Sequence, residues 1–266
     1  MKEWQAHLAV AVEAAQIAGR YQRYRFNSDV TVDLKGDKDL VTEVDRESEH
    51  LIVNHLLARF PNYNILAEEG EYAPTDSPLR WIIDPVDGTT NYAHGFPWFC
   101  VSIGLESDGI LVAGVVFNPM QEELFTTTKG GGAYLNGSRL SVSNRSPLKN
   151  SLLGTGFPYD CATDSANNFS NFIAFQKAAR GIRRAGAAAL DLAYVAAGRL
   201  DGFWELKLKP WDVAAGVLLI EEAGGTVSTF DGKPFSISNN RVVASNSLIH
   251  GEMLTILQSV NQEGPA

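Results

Sequence analysis

Hydrophobic positions along this chain repeat with two periods, and the periods alternate from one end to the other. Over residues 4–24, Leu8, Val12, Ala15 and the pair Ile17-Ala18 recur at helical spacing. Thr42, with Asp45 three residues on, opens a second helix through Leu51, Ile52, His55 and Leu56 that ends before Pro61. Between these helices, residues 27–39 are polar and read as a mobile loop or hairpin. Residues 64–67 predict a strand that ends at Glu68 and Glu69, and residues 80–84 predict another. Residues 99–125 hold three apolar runs separated by Ser107-Asp108-Gly109 and Asn118-Pro119-Met120-Gln121, the pattern of an antiparallel meander. The polar stretch 141–151, containing Pro147, is the best junction between two halves of one domain spanning 1–266, about 1–145 and 146–266.

The second half alternates more finely. A strand at 152–155 precedes a helix over 164–180 carrying Phe169, Phe172, Ile173 and Phe175, and Ile182 marks a short strand. An alanine-rich helix over 187–197 ends at Gly198, followed by a strand at 201–206. A helix over 213–223 closes on Gly224-Gly225, and strands at 226–229 and 242–244 lead to a final helix over 247–260. Helices that alternate with sheets must stack in layers to bury their apolar faces, so the fold class is layered α/β.

Composition narrows the chemistry. A chain of 266 residues with 45% hydrophobic and 10% aromatic content buries a full core. A net charge of −9 gives no general attraction to nucleic acid or to an anionic membrane. Any phosphate ester drawn to such a protein needs bound cations to reverse the local field. The two cysteines, Cys100 and Cys161, are too few for a disulfide framework, and neither stands in the sequence near a plausible base. The first residues are amphipathic without an apolar signal core, and no stretch is apolar enough to span a bilayer, so a cytoplasmic protein is expected. Gly130-Gly131-Gly132 lies between strand-like runs without a following GK[ST] and reads as a turn. No G-x-S-x-G occurs, His94 reads as a loop surface residue, and His50 and His55 sit on an amphipathic helix.

One stretch carries more chemistry than a turn requires: Trp81-Ile82-Ile83-Asp84-Pro85-Val86-Asp87-Gly88-Thr89-Thr90-Asn91. It opens as a buried strand and places two carboxylates, Asp84 and Asp87, on either side of a proline, where a hard turn is expected. Gly88 and the hydroxyls of Thr89 and Thr90 follow, with free N–H groups as at a helix start. Carboxylates beside free N–H groups suit a hard cation and a phosphate bound together. A capped turn with solvated acids explains the proline, glycine and threonines, but not two like charges at one strand end. Glu68, Asp84, Asp87 and Asp212 form an all-oxygen set that suits Mg²⁺, although for Asp212 helix capping competes.

This stretch resembles the first signature of the inositol monophosphatase family, the magnesium-dependent, lithium-sensitive phosphatases. Ala67-Glu68-Glu69-Gly70 stands where that family has paired glutamates. Lys209-Pro210-Trp211-Asp212-Val213-Ala214-Ala215-Gly216, with Glu222-Ala223-Gly224-Gly225, resembles its second signature. The run from Arg183 to Ala193 is similar to bacterial members of the SuhB type. The resemblance implies a five-layered αβαβα sandwich of the sugar-phosphatase type. It also implies metal ligation by Glu68, Asp84, Asp87, Asp212 and the carbonyl of Val86. A water would attack phosphorus, oriented and deprotonated by Thr89 and Glu68, with Asp45 supporting Thr89. Gly88, Thr89 and Thr90 would hold phosphate oxygens, and Gly186, Ala187, Ala188, Glu205 and Asp212 the rest of the substrate. Lys35 matches a lysine on a mobile loop near the metals, on a loop one residue shorter here than in the animal enzymes.

The implied substrate is myo-inositol 1-phosphate or a related small polyol or sugar phosphate, and the implied assembly a homodimer. Histidinol phosphate, fructose 1,6-bisphosphate and a 3′-phosphoadenosine nucleotide are alternative substrates within the fold. Because SuhB-type proteins also act beside the transcription machinery, an RNA- or protein-binding factor is the alternative from another class. The intact acid set favours catalysis.

Overall fold

The computed structural model describes residues 3–28, 31–34 and 40–262. The segment between the first two helices is a hairpin at its edges, β1 (Val32–Leu34) pairing antiparallel with β2 (Leu40–Thr42). Lys35 lies outside the described residues, and so does the reading placed on it.

Two sheets organise the rest. The first runs in sequence order through β3 (Asn64–Ala67), β4 (Leu79–Asp87), β5 (Cys100–Ser107), β6 (Ile110–Asn118), β7 (Glu123–Thr128), β8 (Gly132–Leu135) and β9 (Ser138–Arg139). Only β3 and β4 pair in parallel in it; the others form the expected meander, with Gly130 and Gly131 in the β7–β8 turn. The second sheet has β10 (Leu152–Thr155), β11 (Gly181–Arg183), β12 (Gly202–Leu206), β13 (Thr226–Ser228) and β14 (Arg241–Ser245) in the order β11-β10-β12-β14-β13.

Helices fill three layers around these sheets. α1 (Gln5–Arg25) and α2 (Glu43–Arg59) cover the outer face of the seven-stranded sheet, and α3 (Thr89–Ala93) follows β4. α4 (Phe169–Ala178) and α7 (His250–Gln262) cover the outer face of the five-stranded sheet. Between the sheets lie α5 (Ala188–Ala196) and α6 (Pro210–Glu222). The result is an αβαβα sandwich of five layers, with the largest core cluster in the middle layer.

Strand alternation assigns the faces. Trp81, Ile83, Ile103 and Leu105 belong to the core under α1 and α2. Residues of opposite parity, Ile82 and Gly104, face α6, and there the backbone is unusually close. A Cβ on Gly104 would come within 2.8 Å of Ala214 Cβ, and one on Gly114 within 3.1 Å of Ala215 Cα. These two glycines, cross-strand partners, let α6 settle directly on the sheet.

Three of the differences from the expected boundaries change which residues an element carries. β4 does not turn at Pro85 but continues to Asp87, with a register shift between Asp84 and Asp87. α6 starts at Pro210, so Asp212 sits in its first turn rather than ahead of it. α4 starts at Phe169 and not at 164, because Asn168 adopts a left-handed conformation (φ 74°) and Asp164 is engaged by Lys207 at 2.8 Å.

Candidate active site

Residues three apart in a strand point to opposite faces, so Asp84 and Asp87 should diverge. They do not, because Asp84 pairs with Ser102 and Asp87 with Cys100, two residues apart on β5. One extra residue in β4 is a β-bulge, and it returns Asp87 to the face that carries Asp84. That face looks toward α5 and α6. Parallel pairing of Ala67 with Ile83 brings Glu68, the next residue, beside the same strand end. From the opposite side α6 supplies Asp212, with Ser102 Oγ donating to the Trp211 carbonyl at 3.2 Å.

These acids line one cavity of about 710 Å³, with Val86, Gly88, Thr89, Thr90, Gly186, Ala187, Ala188 and Glu205 in its wall. Burial is the main cause of every carboxylate shift there. It raises Asp84 well above the ordinary range, reinforced by the charges of Glu68, Asp87 and Asp212. Asp87 rises to about 7, held back by two backbone N–H groups. Asp212 also rises to about 7, through burial and the charge of Asp87, against hydrogen bonds from Lys209 and Asp84. So much buried negative charge in one place is costly unless a cation or proton offsets it.

Among the described residues, no three His, Cys, Asp or Glu side chains already close into a metal cage. The acids are instead satisfied by neighbours. Asp87 accepts from the N–H groups of Ala188 (3.2 Å) and Ala189 (2.6 Å), the first turn of α5. Asp212 accepts from the Lys209 N–H at 2.7 Å, so the capping role that competed for this residue is real and coexists with its place in the cavity. An all-oxygen donor set with raised proton affinity fits a hard divalent cation, which would displace those protons.

The next residues are equally well held. Gly88 has φ 102°, and a Cβ there would come within 2.9 Å of the Trp98 carbonyl, so only glycine fits. Thr89 Oγ1 donates to Asp45 Oδ1 at 2.7 Å. Asp45 is fully buried and closes the capping box of α2, accepting from the Thr42 N–H at 2.9 Å and the Thr42 hydroxyl at 2.5 Å. His94 is exposed and does not line the cavity.

The structure corrects one reading and adds two residues. Cys100 does stand beside an acid, its Sγ donating to Asp87 Oδ2 at 3.7 Å. Burial and the charge of Asp87 push that thiol well up, so it stays protonated and offers no nucleophile. Glu205 is buried within β12, and burial with the charge of Asp191 raises its pKa well above the ordinary value. Asp191 and Arg184, to which the sequence reading gave no role, also line the cavity. Both sit in the run from Arg183 to Ala193, whose helical periodicity concealed an acid at 2% exposure. Arg184, Lys207 and Lys209 also line the cavity, and Lys207 bridges Asp160 (2.7 Å) and Asp164 (2.8 Å).

Comparison with known proteins meets this geometry. The model of the inositol monophosphatase family matches residues 3–262. An inositol-1-monophosphatase of Mesorhizobium japonicum is 47% identical over 94% of this chain and 95% of its own. The Nus factor SuhB of Pseudomonas aeruginosa is 46% identical over 96% of both chains. Among solved structures, the extragenic suppressor protein SuhB of Bartonella henselae superposes with a TM-score of 0.91 at 42% identity, covering 96% of this chain and 99% of that one. The inositol monophosphatase of Anabaena gives 0.89 at 41% identity, covering 97% of each. Likeness of this extent, over a chain whose carboxylates gather at one bulged strand end, leaves one assignment: this protein is an enzyme of the inositol monophosphatase family.

Proposed function

We propose that the protein is a Mg²⁺-dependent phosphomonoesterase acting on myo-inositol 1-phosphate and related small polyol or sugar phosphates. The observation that carries this reading is the β4 bulge, which turns Asp84 and Asp87 to one face beside Glu68 and Asp212 in a single cavity. Glu68, Asp84, Asp87, Asp212 and the Val86 carbonyl would hold the cation. Bound there, Mg²⁺ supplies Lewis-acid stabilisation of phosphoryl oxygens and lowers the pKa of water.

The chain's own residues do the rest. Asp45 takes the Thr89 hydroxyl proton in its hydrogen bond, which leaves the Thr89 lone pairs facing the cavity as acceptors. A water held between Thr89 and Glu68 is thereby oriented, and Glu68 receives its proton. Gly88, Thr89 and Thr90 hold phosphate oxygens at the start of α3. Gly186, Ala187, Ala188, Glu205 and Asp212 border the space left for the alcohol. The Ala188 N–H is engaged by Asp87, so its share in substrate binding is through backbone shape. The first half, about 1–145, supplies the cation side except for Asp212, and the second, about 146–266, supplies Asp212 and the alcohol side.

The deciding experiment is phosphate release from inositol 1-phosphate, glycerol 2-phosphate, histidinol phosphate, fructose 1,6-bisphosphate and a 3′-phosphoadenosine nucleotide, with and without Mg²⁺. Turnover without added cation after chelation, or preference for a bisphosphate, would remove this reading. A second reading is favoured by the relatives named Nus factor SuhB, which match as closely as those named for the phosphatase. In that reading the protein also works beside the transcription machinery, as a homodimer or as one chain. Sedimentation, and binding to a transcription complex by an Asp87→Asn protein, would separate this role from turnover.

A further inference from the structure

Pro85 and Val86 have no ladder partner in β5, so their buried backbone groups must be satisfied from elsewhere. Pro85 has no N–H. The Val86 N–H donates to Asp84 Oδ1 at 3.0 Å. The Val86 carbonyl lies 3.1 Å from Thr89 Oγ1, whose one proton goes to Asp45, so this carbonyl is left to the cation side of the cavity. There remains the Pro85 carbonyl, and its partner comes from the far side of the sheet. Gln22 of α1 donates to it through Nε2 at 2.7 Å.

Gln22 is an odd occupant of its position. It continues the buried stripe Ala11, Ala14, Ala15, Ala18 of α1 and is 0% exposed, where helical periodicity calls for an apolar side chain. Its Nε2 also lies 3.2 Å from Ser48 Oγ on α2, and its own carbonyl accepts from the Tyr92 hydroxyl of α3 at 2.9 Å. Its Oε1 is buried with no hydrogen-bond partner. A buried amide with an orphan oxygen costs free energy, so stability alone does not account for glutamine here.

The Pro85 carbonyl and the Val86 N–H belong to one peptide plane. Gln22 grips one end of that plane, and Asp84 accepts from the other. The orientation of the Asp84 carboxylate is therefore fixed through the peptide by a side chain on the opposite face of the sheet. We propose that Gln22 is a positioning residue for the cation site, holding the bulge so that Asp84 and Asp87 present their carboxylates together. This inference rests on the cation-binding reading of those carboxylates.

The test is calorimetric titration of the metal-free protein with Mn²⁺, comparing wild type, Gln22→Met and Asp87→Asn. Gln22→Met should raise the dissociation constant by about 10-fold, the scale typical of residues that orient metal ligands. Its kcat at saturating Mg²⁺ should fall less than about threefold, because the reacting groups are intact. Its thermal midpoint should move little, since the orphan Oε1 disappears as the Pro85 carbonyl loses its donor. Amide exchange of the Val86 segment in the metal-free protein should quicken. Weakened binding in Asp87→Asn with wild-type binding in Gln22→Met would overturn the proposal, and so would a fallen midpoint with unchanged affinity. Unchanged binding in Asp87→Asn would instead overturn the carboxylate reading beneath it. If Gln22→Met does not fold, Ser48→Ala frees the same amide from one side. That variant should weaken Mn²⁺ binding by about twofold to threefold, and wild-type affinity in it would sink the proposal.

Discussion

Thr89 Oγ1 and Asp45 Oδ1 are 2.7 Å apart, although 44 residues separate them in the chain. Both are buried, and Asp45 is otherwise committed to the Thr42 cap of α2. A helix cap thus becomes the support of a hydroxyl in the active-site cavity. Thr89→Val keeps the shape of the residue and removes the hydroxyl. It should lower kcat by roughly 10²-fold or more while leaving Mn²⁺ affinity near wild type. Asp45→Asn should lower kcat as well, and should cost stability through the capping box, about 1 kcal/mol in thermal or urea unfolding. Equal activity in Thr89→Val and wild type would remove Thr89 from the chemistry.

Asp87 ties β4 to α5, since it leaves the strand and accepts from the first amides of that helix. Asp87→Asn should leave circular dichroism unchanged and cut turnover by roughly 10²-fold or more, through the loss of one negative ligand. Activity that survives at ordinary Mg²⁺ would show that Asp87 serves only the packing of α5.

Asp87 and Asp212 are both raised from 3.8 to about 7 in the metal-free fold. Between those values the folded protein keeps protons that the unfolded chain has released. The contribution of these two groups to the stability of the metal-free protein therefore falls as pH rises across that window. Bound cation replaces the protons, so its affinity should rise with pH across the same window. Thermal melts with EDTA and with Mg²⁺ check both signs. The midpoint gained on adding Mg²⁺ should be larger at alkaline pH than at acid pH.

Glu205 and Gly156 make a paired test of the alcohol side. A Cβ on Gly156 would come within 2.1 Å of Glu205 Oε1, so the missing side chain is what lets the carboxylate stand in the cavity wall. Glu205→Gln should lower kcat/KM for inositol 1-phosphate by about one to two decades and act far less on glycerol 2-phosphate. Gly156→Ala should act in the same direction, because it displaces the same carboxylate. Equal losses on every substrate would assign Glu205 to the fold.

Much of this architecture is legible in the chain. The helical stripe of α1, the Thr42 cap, the strand Asn64–Ala67 and the meander follow from local rules: side-chain period, capping chemistry and turn residues. The chemistry of the site is also legible as residue types, since acids placed at strand and helix ends need no tertiary knowledge to be noticed.

Which way those acids point is another matter. The bulge that aligns Asp84 with Asp87 exists only by count against β5, and no property of β4 alone reveals the shift from Ser102 to Cys100. The hard turn expected at Pro85 failed for the same reason. A buried strand with neighbours continues through proline when its lost ladder bonds are replaced, here by Gln22 and Asp84. Cys100 against Asp87, Asp191 in the cavity wall and the burial of Glu205 are likewise contacts between elements distant in sequence. The sequence by itself determined the periods, the caps and the inventory of carboxylates, because those depend on residues a few positions apart. Tertiary structure alone decided which face each carboxylate takes, how deeply it is buried and what shares its proton. Those depend on strand pairing and on the close approach of α6 through Gly104 and Gly114.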